Sequence, residues 1–149
     1  MERMHRDLPI FVKAELISEL VWRFCKTLDE SENDHIAFQK DFLLENSIII
    51  PAKIAGAETA DIYDIRMENA AIIRKAAREI YVTVGNLDIF GFKGEEDYIQ
   101  LIRSEINKFK LLFRKWVKSF DAWNYIVDDW GLFNPPGIEP EDIEDDDEF

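Results

Sequence analysis

The chain has 149 residues, 47 % of them hydrophobic and 33 % charged, with helix formers plentiful and only 6 Gly and 5 Pro. This is the size of a single domain and the composition of a mainly α-helical globular one, which argues against a collagenous, disordered or disulfide-framed chain. The net charge of −13 is uneven: residues 121–149 hold eleven acids and no Lys or Arg, leaving 20 acids against 18 bases in the rest, so the acidity is mostly a tail rather than a repulsive surface throughout.

The single cysteine, Cys25, has no partner for an intramolecular disulfide, and the opening Met1-Glu-Arg-Met-His-Arg-Asp7 lacks the apolar centre of a signal peptide. Both features point to the cytoplasm. No uninterrupted apolar run approaches the roughly 18–20 residues that span a bilayer, so no membrane segment is expected.

The first helix is expected to start after Asp7 as N-cap, with Pro9 tolerated in its first turn. Ile10, Ala14, Ile17, Val21, Phe24 and Leu28 recur at spacings of four and three, a stripe widened by Phe11, Leu16 and Leu20. The charged stretch 29–34 reads as a connector short enough to join antiparallel neighbours.

The second helix is predicted from about Ile36, with Phe38, Phe42, Leu43, Ile49, Ile50 and Ile54 covering more than one face, which makes it the most buried by pattern. Pro51 removes a backbone donor and should kink the helix or break it near Ser47. The small residues Ala52, Ala55, Gly56 and Ala57 would let neighbouring helices approach closely.

A third helix is expected from Thr59 or Asp61 to Leu87, with Ile62, Ile65, Ile73, Ala76, Ile80, Val84 and Leu87 inward, Asn69 near the seam, and Gly85-Asn86 weakening the last turn. Gly91 and Gly94 suit a turn. The fourth helix should begin in Glu95-Glu-Asp97, acids that complement a helix N-terminus. Its stripe Ile99, Ile102, Ile106, Phe109, Phe113, Trp116, Phe120 has the alternating three-four spacing of coiled-coil-like packing. The predicted architecture is an all-α, antiparallel up-down-up-down four-helix bundle over residues 8–120. An aromatic extension over 121–137 and an acidic, disordered tail over 138–149 would follow it.

Chemistry-bearing patterns are sparse. A di-iron bundle needs Glu-x-x-His twice, and this chain has the spacing once, in Glu32 and His35, with His5 the only other histidine. Cys25 sits beside the inward Phe24, where a free cysteine is ordinarily buried and inert, and both histidines fall at positions expected to be exposed. Phosphate-binding glycine loops are absent. Neither a catalytic site, a metal nor a cofactor is expected, and no small-molecule substrate is evident.

The one electrostatic feature of the body is the fourth helix. Arg103, Lys110, Arg114 and Lys118 lie roughly along one face and could bind phosphates as a basic ridge. The plainer alternative is a solvated outer face, for which the acidic tail could compete. Trp22 and Trp116 fall near helix seams and read as core. Trp123, Tyr125, Trp130 and Phe133 lie outside the helical pattern, so they would cap the bundle or bury against another subunit.

Phe11-Val-Lys-Ala14, Ile50-Pro-Ala-Lys-Ile-Ala-Gly-Ala57 and the Glu79-Ile80 pair twelve residues before Gly91 resemble the four-helix-bundle proteins of the 23S rRNA intervening-sequence type over about residues 8–120. The family's Ile-Pro-x-Asn-Ile-Ala-Glu-Gly motif is kept at Ile50, Pro51, Ile54 and Ala55, whereas Lys53 and Gly56 replace its Asn and Glu. The resemblance implies an antiparallel bundle assembling as a homopentamer. Some members are encoded within ribosomal RNA genes. A related branch, the accessory proteins of diversity-generating retroelements, is strongly basic and binds nucleic acid and a reverse transcriptase. Two functions are therefore expected in competition: a non-enzymatic self-assembling scaffold, and a nucleic-acid-binding accessory protein using the ridge of the fourth helix.

Overall fold

Proline at the first helical position sets where the bundle begins, because its fixed φ suits the helix and its missing N–H is an orphan there in any case. The computed structural model describes residues 5–28, 34–87 and 96–143. A 3-10 turn at His5–Asp7 is followed by α1 (Pro9–Lys26), α2 (Asp34–Ala60), α3 (Tyr63–Asn86) and α4 (Glu96–Lys118), and no strand occurs among the described residues. The connector 29–33, including Glu32, the Gly91 and Gly94 turn, Glu95 and the tail residues 144–149 lie outside them.

Each helix packs on the next and α4 returns to α1, closing a four-helix bundle. Its up-down order follows from which ends meet. Cys25 at the end of α1 reaches the Lys40 carbonyl near the start of α2, and Arg103 early in α4 reaches the Tyr81 carbonyl late in α3. At the other end, Glu58 of α2, Arg66 of α3 and Trp116 of α4 share one set of hydrogen bonds.

The core contains Ile17, Val21 and Phe24 from α1, Leu43, Ile50 and Ile54 from α2, Ile73, Ile80 and Val84 from α3, and Ile99, Ile102 and Ile106 from α4. Fully burying a side chain of this size contributes about 1.5–3 kcal/mol. Trp116 and Phe120 are buried in keeping with the α4 stripe, while Phe113 is only half-buried.

Several expectations are corrected. Asp7 does not cap α1: the N-cap position is Leu8, with no side-chain hydrogen bond, and Asp7 belongs to the preceding turn. His5 is not fully exposed, because its ring sits edge-on to Phe11 at 4.8 Å. Of the two outcomes expected at Pro51, a kink or a break near Ser47, the break does not occur, since α2 is continuous from Asp34 to Ala60.

The boundary between the second and third helices lies at Asp61, whose φ of 48° turns the chain in a left-handed conformation that Asp tolerates better than most residues. Ile65 on α3 is 37 % exposed rather than inward. Trp22, expected in the core, is 52 % exposed with Lys26 Nζ 3.5 Å above its ring. On α2, Phe38 and Ile48 are 65 % and 64 % exposed, so only one of its two apolar faces enters the core.

Among the small residues, Ala57 is buried, whereas Ala52 and Gly56 face outward. A Cβ on Gly56 would make ordinary contact with Asn69, 3.8 Å from its amide. At Gly85 a side chain would displace the Arg103 guanidinium, which lies over this position.

Candidate interaction surfaces

The outward apolar residues of α1 and α2 converge. Val12, Leu16 and Trp22 are exposed on α1 and Ile48 on α2, and with Leu44 and Pro51 they wall a groove of about 760 Å³. Its local cause is patterning: α1 has Phe11, Val12, Leu16 and Trp22 outside its core stripe, and α2 places Ile48 two residues before the buried Ile50. Glu15, Ser18 and Glu19 form the polar side of this groove. Large contiguous apolar exposure of this kind marks interaction surfaces more often than free surface.

A second groove, of about 180 Å³, runs between α3 and α4, with Arg74, Arg78 and Tyr81 on one wall and Asn107, Lys110 and Phe113 on the other. Arg74, Arg78 and Lys110 are exposed and make no ion pair among the described residues. Neighbouring cations are engaged. Arg103 donates Nε–H to the Tyr81 carbonyl at 3.1 Å and stacks 4.2 Å from that ring, Lys75 approaches Glu79 at 3.9 Å, and Lys108 pairs with Glu105 at 3.2 Å.

Of the four residues in the sequence-derived ridge, Arg103 is thus tied into the fold. Lys110, Arg114 and Lys118 are exposed without an ion pair among the described residues. Glu105, the acid among these bases, points inward and is 7 % exposed, with Lys13 at 2.7 Å joining α1 to α4. The Lys13 hydrogen bond is the main cause that holds its carboxyl below the usual glutamate range, and Lys108 adds to it.

The extension after α4 is pinned at the bundle end. The Tyr63 amide donates to the Asn124 carbonyl at 3.0 Å, the Asn124 side chain donates to the Asp61 carbonyl, and the Arg66 guanidinium lies 4.1 Å over Phe120. Asp128 then organises a turn, its carboxylate accepting N–H bonds from Trp130, Leu132 and Phe133. Those bonds, that from Phe133 foremost, lower its pKa.

The four aromatics of the extension divide. Phe133 is half-buried and lines a small pocket together with Met67, Ala70 and Arg74 of α3 and Phe113 and Val117 of α4. Tyr125 is half-buried, with its ring 6.2 Å edge-on from Trp123. Trp123 is 67 % and Trp130 92 % exposed, and Leu132 beside it 73 %.

In the motif segment, Ile50 and Ile54 are core, Pro51 faces the α1–α2 groove, and Lys53 and Ala55 are half-buried. Cys25 is 1 % exposed, and burial pushes its thiol pKa up to about 12, so it is protonated at neutral pH. His35 is exposed and contacts Gln39, with ring and amide nitrogens 3.4 Å apart. Among the described residues no group of three or more His, Cys, Asp or Glu side chains could hold a metal, and none of their helices is long and apolar enough to cross a membrane.

Sequence reasoning missed the outward role of Val12, Trp22 and Ile48 and the contribution of Arg74 and Arg78. The available signal was the excess of apolar residues on α1 and α2 over what one stripe needs. Comparison with protein-family models, with curated proteins and with solved structures gives no match to this chain.

Proposed function

We propose that the protein is a non-enzymatic, cytoplasmic four-helix-bundle scaffold that self-assembles through the α1–α2 groove. The observation that carries this reading is the contiguous exposure of Val12, Leu16, Trp22 and Ile48 around that groove. Burying such side chains between subunits gains about 25 cal/mol for each Å² of apolar surface removed from water. The resemblance to the 23S rRNA intervening-sequence proteins supports the pentamer as the assembled form.

The test is the full chain carrying Leu16→Asp and Trp22→Asp, two outward positions. The expected result is an unchanged helical circular dichroism spectrum with a smaller mass in light scattering. An unchanged mass removes the α1–α2 groove as the interface.

A second reading, nucleic-acid binding, is favoured by the cations Lys110, Arg114 and Lys118, unpaired among the described residues and flanked by Arg74 and Arg78. Phosphate contacts by these groups would release counterions, so affinity would fall steeply with salt. Fluorescence anisotropy of a labelled single-stranded RNA tests it; no binding at low salt removes it.

A further inference from the structure

The loop from Asp128 to Asn134 holds two apolar side chains away from the bundle. The Asp128 carboxylate accepts the N–H groups of Trp130, Leu132 and Phe133 at 3.0, 2.9 and 2.9 Å. Asn134 closes the loop from its other end: its side-chain oxygen accepts the Asp128 N–H at 2.7 Å, and its amide nitrogen donates to the Asp128 carbonyl at 3.0 Å. Gly131, at φ 75°, turns the chain between the two outward residues. Trp130 and Leu132 are left 92 % and 73 % exposed, the highest values of any large hydrophobic residues described. A loop fixed in this way before binding loses little conformational freedom on binding, and a protruding tryptophan is a typical interface anchor.

The α1–α2 groove is the concave counterpart, apolar along Val12, Leu16, Trp22, Leu44, Ile48 and Pro51. Two such grooves set face to face would leave both unfilled, whereas a protruding side chain fills one. The charges favour the same pairing. The groove's charged lining residues are Glu15 and Glu19, and Glu15 makes no ion pair among the described residues. Beside Leu132, α3 presents Arg74, Lys75 and Arg78; Lys75 approaches Glu79, which leaves Arg74 and Arg78 for an outside acid, partly offset by Glu68 and Asp129. The loop sits against α3, which is diagonal to α1 because α1 packs on α2 and α4. Its own groove is therefore on the far side of the molecule.

We propose that Trp130 and Leu132 of one copy seat in the α1–α2 groove of a second copy, with Arg74 and Arg78 facing Glu15. This contact rests on self-assembly through that groove and specifies what fills it. Seating the indole removes about 150–250 Å² from water. Because the two surfaces differ, each copy offers one of each, and the contact runs head to tail, closing into a ring or continuing as a filament.

The experiment compares three full-length chains by light scattering: wild type, a groove variant (Leu16→Asp, Trp22→Asp) and a loop variant (Trp130→Ser, Leu132→Ser). With helical circular dichroism unchanged, the loop variant should need at least about tenfold higher concentration than wild type to assemble. A loop variant that keeps the wild-type mass overturns the head-to-tail contact and leaves self-assembly through the groove standing. A monomeric wild type removes both. As an independent readout, fluorescently labelled loop variant, whose groove is intact, should gain anisotropy when the groove variant, whose loop is intact, is added, and should not respond to unlabelled loop variant. An equal response to both, or a response to neither, overturns the contact.

Discussion

Replacing Glu58 with Ala should loosen the end of the bundle where three helices and the extension meet. One carboxylate oxygen, Oε1, accepts from the Arg66 guanidinium and from the Trp116 indole N–H, each at 2.7 Å. Trp116 is 7 % exposed, and the Arg66 side chain only 11 % exposed, with no partner for its Nε–H among the described residues. Without Glu58 the indole N–H loses its acceptor at a cost of about 1–3 kcal/mol. Among the described residues the guanidinium then keeps the ion pair to Asp61, at 3.4 Å and largely exposed, worth about 0–1 kcal/mol, and its stacking 4.1 Å over Phe120.

Breaking a fully buried pair costs about 3–5 kcal/mol, and the partial exposure of Glu58 scales this down. A total loss of roughly 2–4 kcal/mol is expected, or about 4–16 °C in Tm at ~2–4 °C per kcal/mol for a domain of this size. Urea denaturation followed by circular dichroism measures it. Trp116→Phe, which removes the N–H and keeps the ring, supplies the second arm of a double-mutant cycle whose coupling energy should exceed about 1 kcal/mol. A Glu58→Ala loss within about 0.5 kcal/mol, the range of an ordinary surface substitution, would refute the reasoning.

Ile54→Ala should cost about 2–5 kcal/mol and Ile48→Ala, made in the Leu16→Asp, Trp22→Asp background so that burial between subunits does not enter, less than about 0.5 kcal/mol, which tests by urea denaturation which face of α2 is core. Glu105 has a folded pKa below its unfolded value, so its stabilisation is present above the ordinary carboxylate range of about 4.3 and is lost as pH falls through the folded pKa. Glu105→Gln should therefore be less stable than wild type at neutral pH, and the gap should close in acid; a gap independent of pH would count against the Lys13 pairing. Cys25, protonated and buried, should react with a thiol reagent at neutral pH only as fast as the bundle opens. Native labelling at the rate of the unfolded chain would contradict its placement.

The legible part of this fold is the part written within one helix. Ile99, Ile102, Ile106, Phe109, Trp116 and Phe120 recur on one face of α4 with a strongly polar opposite face, so periodicity alone ranks them as core. On α2 the same method has nothing to discriminate: Phe38, Ile48 and Ile50 are similar in hydrophobicity, and only the arrival of α1 and α3 decides that Ile50 is buried while Phe38 and Ile48 are not. Trp22 follows the buried Val21 directly, and its exposure is likewise a matter of where α2 lies.

The interaction surfaces were less legible for the same physical reason. Lys110 and Arg114 stand on one helix and were visible as a ridge, but Arg74 and Arg78 join Lys110 only because α3 packs beside α4. The Glu58 and Trp116 pair bridges 58 positions, and neither residue carries a local pattern that announces the other. Arg103 matched the ridge by spacing, whereas its role depends on Tyr81 and Gly85 across the helix pair.

The most direct measurement is the mass of the wild-type chain in solution, by size-exclusion chromatography with light scattering at micromolar concentration. Self-assembly through the α1–α2 groove predicts a defined multiple of 17.5 kDa, a pentamer if the resemblance extends to assembly, reduced by Leu16→Asp with Trp22→Asp. A clean 17.5 kDa monomer would contradict it.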